Sequence, residues 1–209
     1  MNKIFIWLLL CISSSVLAQN TKGLTEFNIN VGTMLSSFSY EDVNGDANEE
    51  IRYRSGKTYS LNFGFKLGQK HKLCPELIYQ EFGANSTHNS SPMEWTLNYL
   101  GTGIGYSYLA FNTEFFSLSP SLYMHINYML RGSQIIGENQ YDIREQDLFK
   151  PFDLTTSLNL NTRFKVMDKL QINLDYRYVF GLSNIENTNE HEKTKNKGHL
   201  ATIGLTFNL

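Results

Sequence analysis

Beyond Gln19 the chain alternates apolar and polar residues with a period of two and shows no helical period. That pattern predicts strands with one apolar and one polar face. The runs fall at Glu26–Ser36, Thr58–Gly68, Leu73–Phe82, Trp95–Ala110, Phe116–Leu130, Phe152–Val166, Leu170–Phe180 and Ala201–Asn208. In the sixth, Phe152, Leu154, Thr156, Leu158, Leu160, Thr162, Phe164 and Val166 alternate with Asp153, Thr155, Ser157, Asn159, Asn161, Arg163 and Lys165. Two runs are broken. In the third, Leu73, Leu77 and Tyr79 share a face, Ile78 and Phe82 interrupt it, and Pro75 predicts an irregularity. In the fourth, Trp95, Leu97 and Tyr99 are in one phase and Ile104, Tyr106 and Tyr108 in the other. A bulge or sharp coil is therefore expected at Gly101, Gly103 and Gly105.

Eight strands is an even count, and the connections alternate in length. Gln69–Lys72, Asn112–Glu114 and Met167–Lys169 are short; Ser37–Ser55, Gly83–Glu94, Gly132–Lys150 and Ser183–Lys197 are long and polar. Short turns at one end and long loops at the other predict an all-β fold. The expected architecture is an eight-stranded antiparallel up-and-down transmembrane β-barrel with short periplasmic turns and long extracellular loops. The runs exceed the ~9–11 residues that a tilted strand needs to cross a bilayer. Aromatic residues fall near the strand ends. Tyr59, Trp95, Tyr128, Phe152, Tyr178 and Phe180 lie toward the loops, and Phe27, Phe65, Tyr108, Phe116, Phe164 and Phe207 toward the turns. Two such belts flanking an aliphatic band are expected at membrane interfaces.

The opposite face carries Glu26, Lys66, Glu76, His125, Arg131, Asp153, Arg163, Lys165, Asp175 and Arg177. An eight-stranded barrel has room inside only for side chains, and charges buried there must be paired. Across the short turns Lys66 is expected to sit diagonally from Glu76, and Arg163 from Asp175. The expectation is a plugged, salt-bridged lumen with no diffusion pore. Alternation does not say which face is inside, so a soluble lipocalin-like carrier with the apolar face inward is the inverted alternative.

The amino terminus changes the picture of where such a barrel resides. Lys3, the apolar run Ile4–Ile12 and the small residues leading to Ala18 have the layout of a cleavable signal peptide over residues 1–18, leaving 19–209 as one barrel domain. The apolar run is too short to span ~30 Å of hydrocarbon. Cleavage removes one lysine and no acid from a chain of net charge −2, and it removes Cys11, so Cys74 has no disulfide partner. The charge balance offers no basic patch for nucleic acid. With neither a long segment before Leu24 nor a domain after Leu209, direct anchoring to peptidoglycan is not expected.

The signal peptide, eight amphipathic strands, polar loops and the ending Thr202-Ile203-Gly204-Leu205-Thr206-Phe207-Asn208-Leu209 together resemble the outer-membrane β-barrel domain family of Bacteroidota, porin-like or PorT-like. The resemblance covers the whole mature chain and rests on pattern. It departs at the end, where Leu209 stands in place of the terminal aromatic of many outer-membrane proteins. It implies an integral outer-membrane location, assembly by the barrel-insertion machinery and, in one branch of the family, a link to type IX protein secretion.

Candidate chemistry is sparse. A lipid A deacylase pairs a lipid-facing histidine with a serine two residues on; here the sequence is His125-Ile126-Asn127, with His125 expected in the lumen, so no activated nucleophile forms. His88 with Ser90, or His191 with Glu190, could be drawn into a palmitoyl-transferase-like set, but loops rich in Asn and Ser offer such pairs freely. The acidic segment Asp42–Glu50 spaces oxygen ligands as calcium loops do. It has Ala47 at the glycine position and Tyr53 at the closing glutamate, so a solvated loop is preferred. His191 beside Glu190 and Glu192 is a weak metal cluster, and Cys74 is expected to be a buried strand residue. The sequence therefore predicts no catalytic residue, no cofactor site and no metal site. It predicts a non-enzymatic envelope module in contact with outer-membrane lipid and lipopolysaccharide, whose outer loops are the surface a protein partner would meet. A lipid-modifying enzyme is the alternative.

Overall fold

Residues 23–42, 51–88, 91–187 and 192–209 are described in the computed structural model. Eight long strands form its wall: β1 (Leu24–Glu41), β2 (Arg52–Lys66), β3 (His71–His88), β4 (Ser91–Tyr108), β6 (Phe116–Ile136), β8 (Phe152–Met167), β9 (Leu170–Gly181) and β10 (Lys193–Asn208). Each pairs antiparallel with the next, β4 with β6 and β1 with β10, so the sheet closes into an eight-stranded up-and-down ring. Two short strands, β5 (Phe111–Asn112) and β7 (Asn139–Asp142), pair onto β6. The β6–β7 hairpin turns in two residues, with Gly137 at φ +59°, where a side chain would be strained. Among the described residues there is no helix long and apolar enough to cross a membrane.

The apolar face is outside. Ile126 and Leu158 are each 58% exposed and Ile203 53%, whereas Arg177 is 1% exposed. This is opposite to the carrier arrangement and is the face a barrel turns toward lipid. On β1 the outward band runs from Phe27 through Ile29 and Val31 to Leu35. Aromatic pairs bound it. Phe27 packs on Phe63 and Phe207, and Phe116 on Phe164, at the turn end. Tyr128 packs on Phe152, and Tyr178 on Phe180, at the loop end.

Above the band the polarity reverses. Met34, Phe38, Ile78, Phe82, Leu97, Tyr99, Met129, Val179 and Leu200 point inward and make one buried apolar cluster. The reversal explains both broken runs. Ile78 and Phe82 do not interrupt β3; they lie on its inner face with Glu76 and Gln80. In β4 there is no phase switch at the glycines. Leu97, Tyr99, Gly101 and Gly105 all lie on the buried inner face, and the register shift falls between Asn98 and Tyr99, opposite β6. Trp95 leaves the predicted belt for the inside, edge-on to Phe38. Pro75, which has no N–H, sits in a gap in the β2–β3 ladder, where the register resumes unshifted. The same reversal corrects the loop at Gly83–Glu94. Most of it is β3–β4 ladder, paired from Gly83↔Thr96 to His88↔Ser91.

The glycines of β4 have a different task. A Cβ at Gly101 would fall 2.2 Å from Asn127 Oδ1, one at Gly103 2.2 Å from His125 Cδ2, and one at Gly105 2.3 Å from Tyr123 Cε1. They form a bare strip of wall against which the inward side chains of β6 lie. Gly105→Ala is expected to lower the stability of the assembled barrel by about 1–3 kcal/mol through overpacking. Tyr123→Leu in the same chain should recover part of that loss. Urea unfolding in lipid vesicles reads both, and an unchanged Gly105→Ala midpoint would contradict the packing.

Candidate functional site

The lumen on the turn side holds a continuous polar network. Glu76 on β3 is its hub. Arg177 on β9 donates to both carboxylate oxygens (Nη1 to Oε2 2.6 Å, Nη2 to Oε1 2.8 Å). Asn62 Nδ2 on β2 donates to Oε1 at 2.7 Å, and His125 Nε2 on β6 lies 2.7 Å from Oε2. The bidentate fork is the strong form of this contact. Tyr123 completes the hub. Its ring lies under the Arg177 guanidinium at 4.6 Å, and its hydroxyl donates to Asn62 Oδ1 at 3.3 Å.

From there the network descends. Arg177 reaches Asp175 at 3.4 Å, Asn161 Nδ2 donates to Asp175 at 2.7 Å, and Arg163 Nε donates to Asn161 Oδ1 at 2.6 Å. Arg163 Nη1 and Lys72 Nζ then meet on Glu26 Oε2 at 2.7 and 2.5 Å. In this turn-side network three cations face three carboxylates, which balances the set as burial requires; nearer the loops the buried Asp153 carboxylate is held by hydrogen bonds from Ser183 and Asn196. The cavity left beside these groups is about 10 Å³.

The pairings differ from those expected. Glu76 pairs with Arg177 and not with Lys66, which is exposed at the end of β2. Arg163 pairs with Glu26 and not with Asp175. Cross-turn diagonals were the wrong geometry, because the partners reach across the lumen rather than along the wall. Lys165 is drawn out of the lumen to Asp168 at 3.0 Å, and a bulge turns Arg131 outward next to Leu130.

Above the apolar cluster the loop end is roofed by two connecting segments. Lys150 N donates to Ile185 O (2.7 Å), Asn187 N to Leu148 O (2.9 Å) and Asn187 Nδ2 to Asp147 O (3.1 Å). These ties seat Ile143 and Ile185 on the cluster. Beside this roof lies a vestibule of about 620 Å³, within the size range of small-molecule sites. Phe38 forms its aromatic floor, edge-on to Trp95 at 5.9 Å and to Phe149 at 6.0 Å. Met93, Ile51 and Leu148 extend the apolar lining, and Asp147 and Glu186 supply its carboxylates.

Asp147 is the single non-glycine residue at positive φ (+53°) among the described residues, a strained conformation that clusters at functional sites. Burial chiefly, with the neighbouring Glu192, pushes the Glu186 carboxyl above its ordinary range, although the Thr194 hydroxyl donates to it at 2.9 Å. Above the band, burial and then the carboxylates of Glu192, Glu186 and Asp42 push the Tyr40 phenol up to about 12. The vestibule thus carries two carboxylates over an aromatic floor.

His125 and Asn127 both face the lumen, His125 on Glu76 and Asn127 accepting from Gln80 Nε2 (2.8 Å). Cys74 is a buried strand residue, 4% exposed. Residues 43–50 of the acidic segment, Ser90, Glu190, His191 and the side chain of His88 lie outside the described residues, as does the signal segment 1–18. Among the described residues no cluster of His, Cys, Asp and Glu could hold a metal. Sequence reasoning missed the vestibule because all of its lining except Trp95 comes from segments read as loops. The available signal was the out-of-phase Trp95, Leu97 and Tyr99.

No family model matches the chain, and no curated protein matches it. Solved structures of similar outline include Neisserial surface protein A, 14% identical, with 88% of this chain and 97% of that one covered and a TM-score of 0.49. OprG from Pseudomonas aeruginosa is 14% identical (90% and 97% covered, TM-score 0.47). Ail, the attachment invasion locus protein of Yersinia pestis, is 11% identical (88% and 99% covered, TM-score 0.43). These are likenesses of barrel outline at low identity; the fold itself is established by the closed strand ladder.

Removing one partner of the Glu76–Arg177 pair is expected to cost about 3–5 kcal/mol, because it strands a buried charge, whereas replacing both with apolar residues costs far less. Unfolding midpoints of Glu76→Leu, Arg177→Met and the double variant check this. Additive losses would contradict it.

Proposed function

We propose that this chain is an integral protein of the bacterial outer membrane, exported under a cleaved signal peptide at residues 1–18. Its turns face the periplasm and its loops the exterior. It is a non-enzymatic, non-conducting barrel that acts as an envelope interaction module at its loop end. The observation that carries the reading is the stacking of three layers along one axis. A charge-paired polar plug fills the turn side, an apolar cluster sits above it, and an open vestibule lies on top. A conduit would need a continuous polar path, and here Arg177, Tyr99 and Leu97 lie fully packed across it. The outward apolar band between aromatic pairs supports membrane residence.

The PorT-like character of the strand pattern fits this arrangement and makes support of protein secretion one setting for a partner at the loops. Against the deacylase form of the lipid-modifying alternative, His125 and Asn127 face the lumen rather than the outer surface; the residues of its palmitoyl-transferase-like form lie outside the described residues, apart from the backbone of His88.

Reconstituted in planar bilayers, the protein is expected to leave the membrane at baseline conductance across a wide voltage range. Stepwise openings of uniform size in the wild-type protein would contradict the sealed lumen.

A further inference from the structure

Resting on the reading of the loop end as the working surface, we propose that the vestibule binds a small amphiphilic organic cation. Its aromatic or branched apolar body would lie on Phe38, Trp95 and Phe149, and its ammonium group would be held by Asp147 and Glu186.

Three observations converge on this chemistry. The first is shape. About 620 Å³ is far more than one side chain or a few waters require and suits a molecule of modest size. The second is the floor. Phe38 stands edge-on to both Trp95 and Phe149, at interplanar angles of 69° and 88°. All three rings line the cavity, and aromatic rings attract organic cations, tryptophan most of all. The third is charge. Two carboxylates line the cavity, and no lysine or arginine is among its described lining residues. Lys150 lies close enough for its charge to act on Glu186, but its ammonium donates to Asn184 O at 3.3 Å and makes no ion pair with Glu186 among the described residues.

The two carboxylates are placed differently. Glu186 is half-buried and tied through Oε2 to Thr194, and among the described residues no hydrogen bond reaches its Oε1. Asp147 is carried on a left-handed residue inside the roof turn, a conformation that Asp and Asn adopt more readily than other side chains. A bound ammonium would thus meet one acid fixed to the wall and one presented by the roof. A neutral ligand of the same shape would gain the aromatic contact alone. An anion would meet two like charges.

Trp95 supplies the test. It is one of two tryptophans in the chain, and the other, Trp7, lies in the signal segment. The protein, extracted from envelopes into detergent, is titrated with three molecules that share one phenyl ring: phenethylammonium, phenylethanol and phenylacetate. Tryptophan emission is followed throughout. Phenethylammonium is expected to give a saturable change, absent in Trp95→Phe, with an affinity about tenfold above that of phenylethanol. Phenylacetate should give none. Glu186→Gln and Asp147→Asn, which keep shape and backbone preference, should each weaken the cation by roughly five- to tenfold and leave phenylethanol unchanged.

Equal affinity for the cation and the alcohol, or indifference to both substitutions, would overturn the charge selection while leaving the loop end as an interaction surface. No saturable response to any of the three would overturn the site itself. Uniform conductance steps in the bilayer assay would instead overturn the sealed-module reading on which the proposal rests.

Discussion

The carboxylate of Glu76 is the point on which the interior of this barrel depends. It sits at 3% exposure in a lumen that cannot hydrate it, and it takes hydrogen bonds from Arg177 and Asn62 with His125 alongside. Those partners come from strands β9, β2 and β6, so one side chain joins walls on different sides of the ring. The pair contributes less to stability than its geometry suggests, because both charges were taken from water. Its consequence is specificity: any register slip by one residue would turn Glu76 or Arg177 toward lipid, where neither has a partner. The bare strip on β4 follows from the same constraint. Side chains reaching inward from β6 need a wall without Cβ atoms to lie against, and Gly101, Gly103 and Gly105 provide it.

The second organising feature is the reversal of polarity along the barrel axis. Within the outward apolar band the chain is inside out, apolar on the surface and charged within. Above it the chain is built like a soluble protein, with Met34, Phe82, Leu97, Met129 and Leu200 buried and with charges such as Arg131 outside. The two regimes share the same continuous strands. The apolar upper cluster is what allows the roof segments to dock, and the docked roof creates the vestibule beside it. The loop-end site is therefore a product of packing rather than of loop sequence alone.

The barrel was legible in the sequence wherever one strand face belongs to the outward apolar band. Phe152–Val166 and Leu170–Phe180 alternate cleanly because their outward residues sit in the band and, Val179 apart, their inward ones are polar. Legibility failed where the strands leave the band. There Trp95, Leu97 and Phe82 face inward, and the alternation inverts and reads as a broken strand or a loop. The lumen charges were legible as a set, since seven of the ten do lie inside: Glu26, Glu76, His125, Asp153, Arg163, Asp175 and Arg177. Their pairing was not, because sequence spacing reports neighbours along the wall and is silent about partners across the lumen. The vestibule was the least legible, as its floor joins Phe38, Trp95 and Phe149 from β1, β4 and a connection, and no periodic pattern relates them.

Everything above depends on a barrel that is closed, with its apolar face outward and a polar plug holding it shut. Electrophoretic mobility of the protein in the detergent-extracted membrane fraction, compared before and after boiling, tests this most directly. The protein is expected to partition with the membrane, and unboiled material to run at a different position from boiled material, since a ladder closed by hydrogen bonds resists the detergent until heated. Recovery in the soluble fraction, with one mobility before and after boiling, would contradict it.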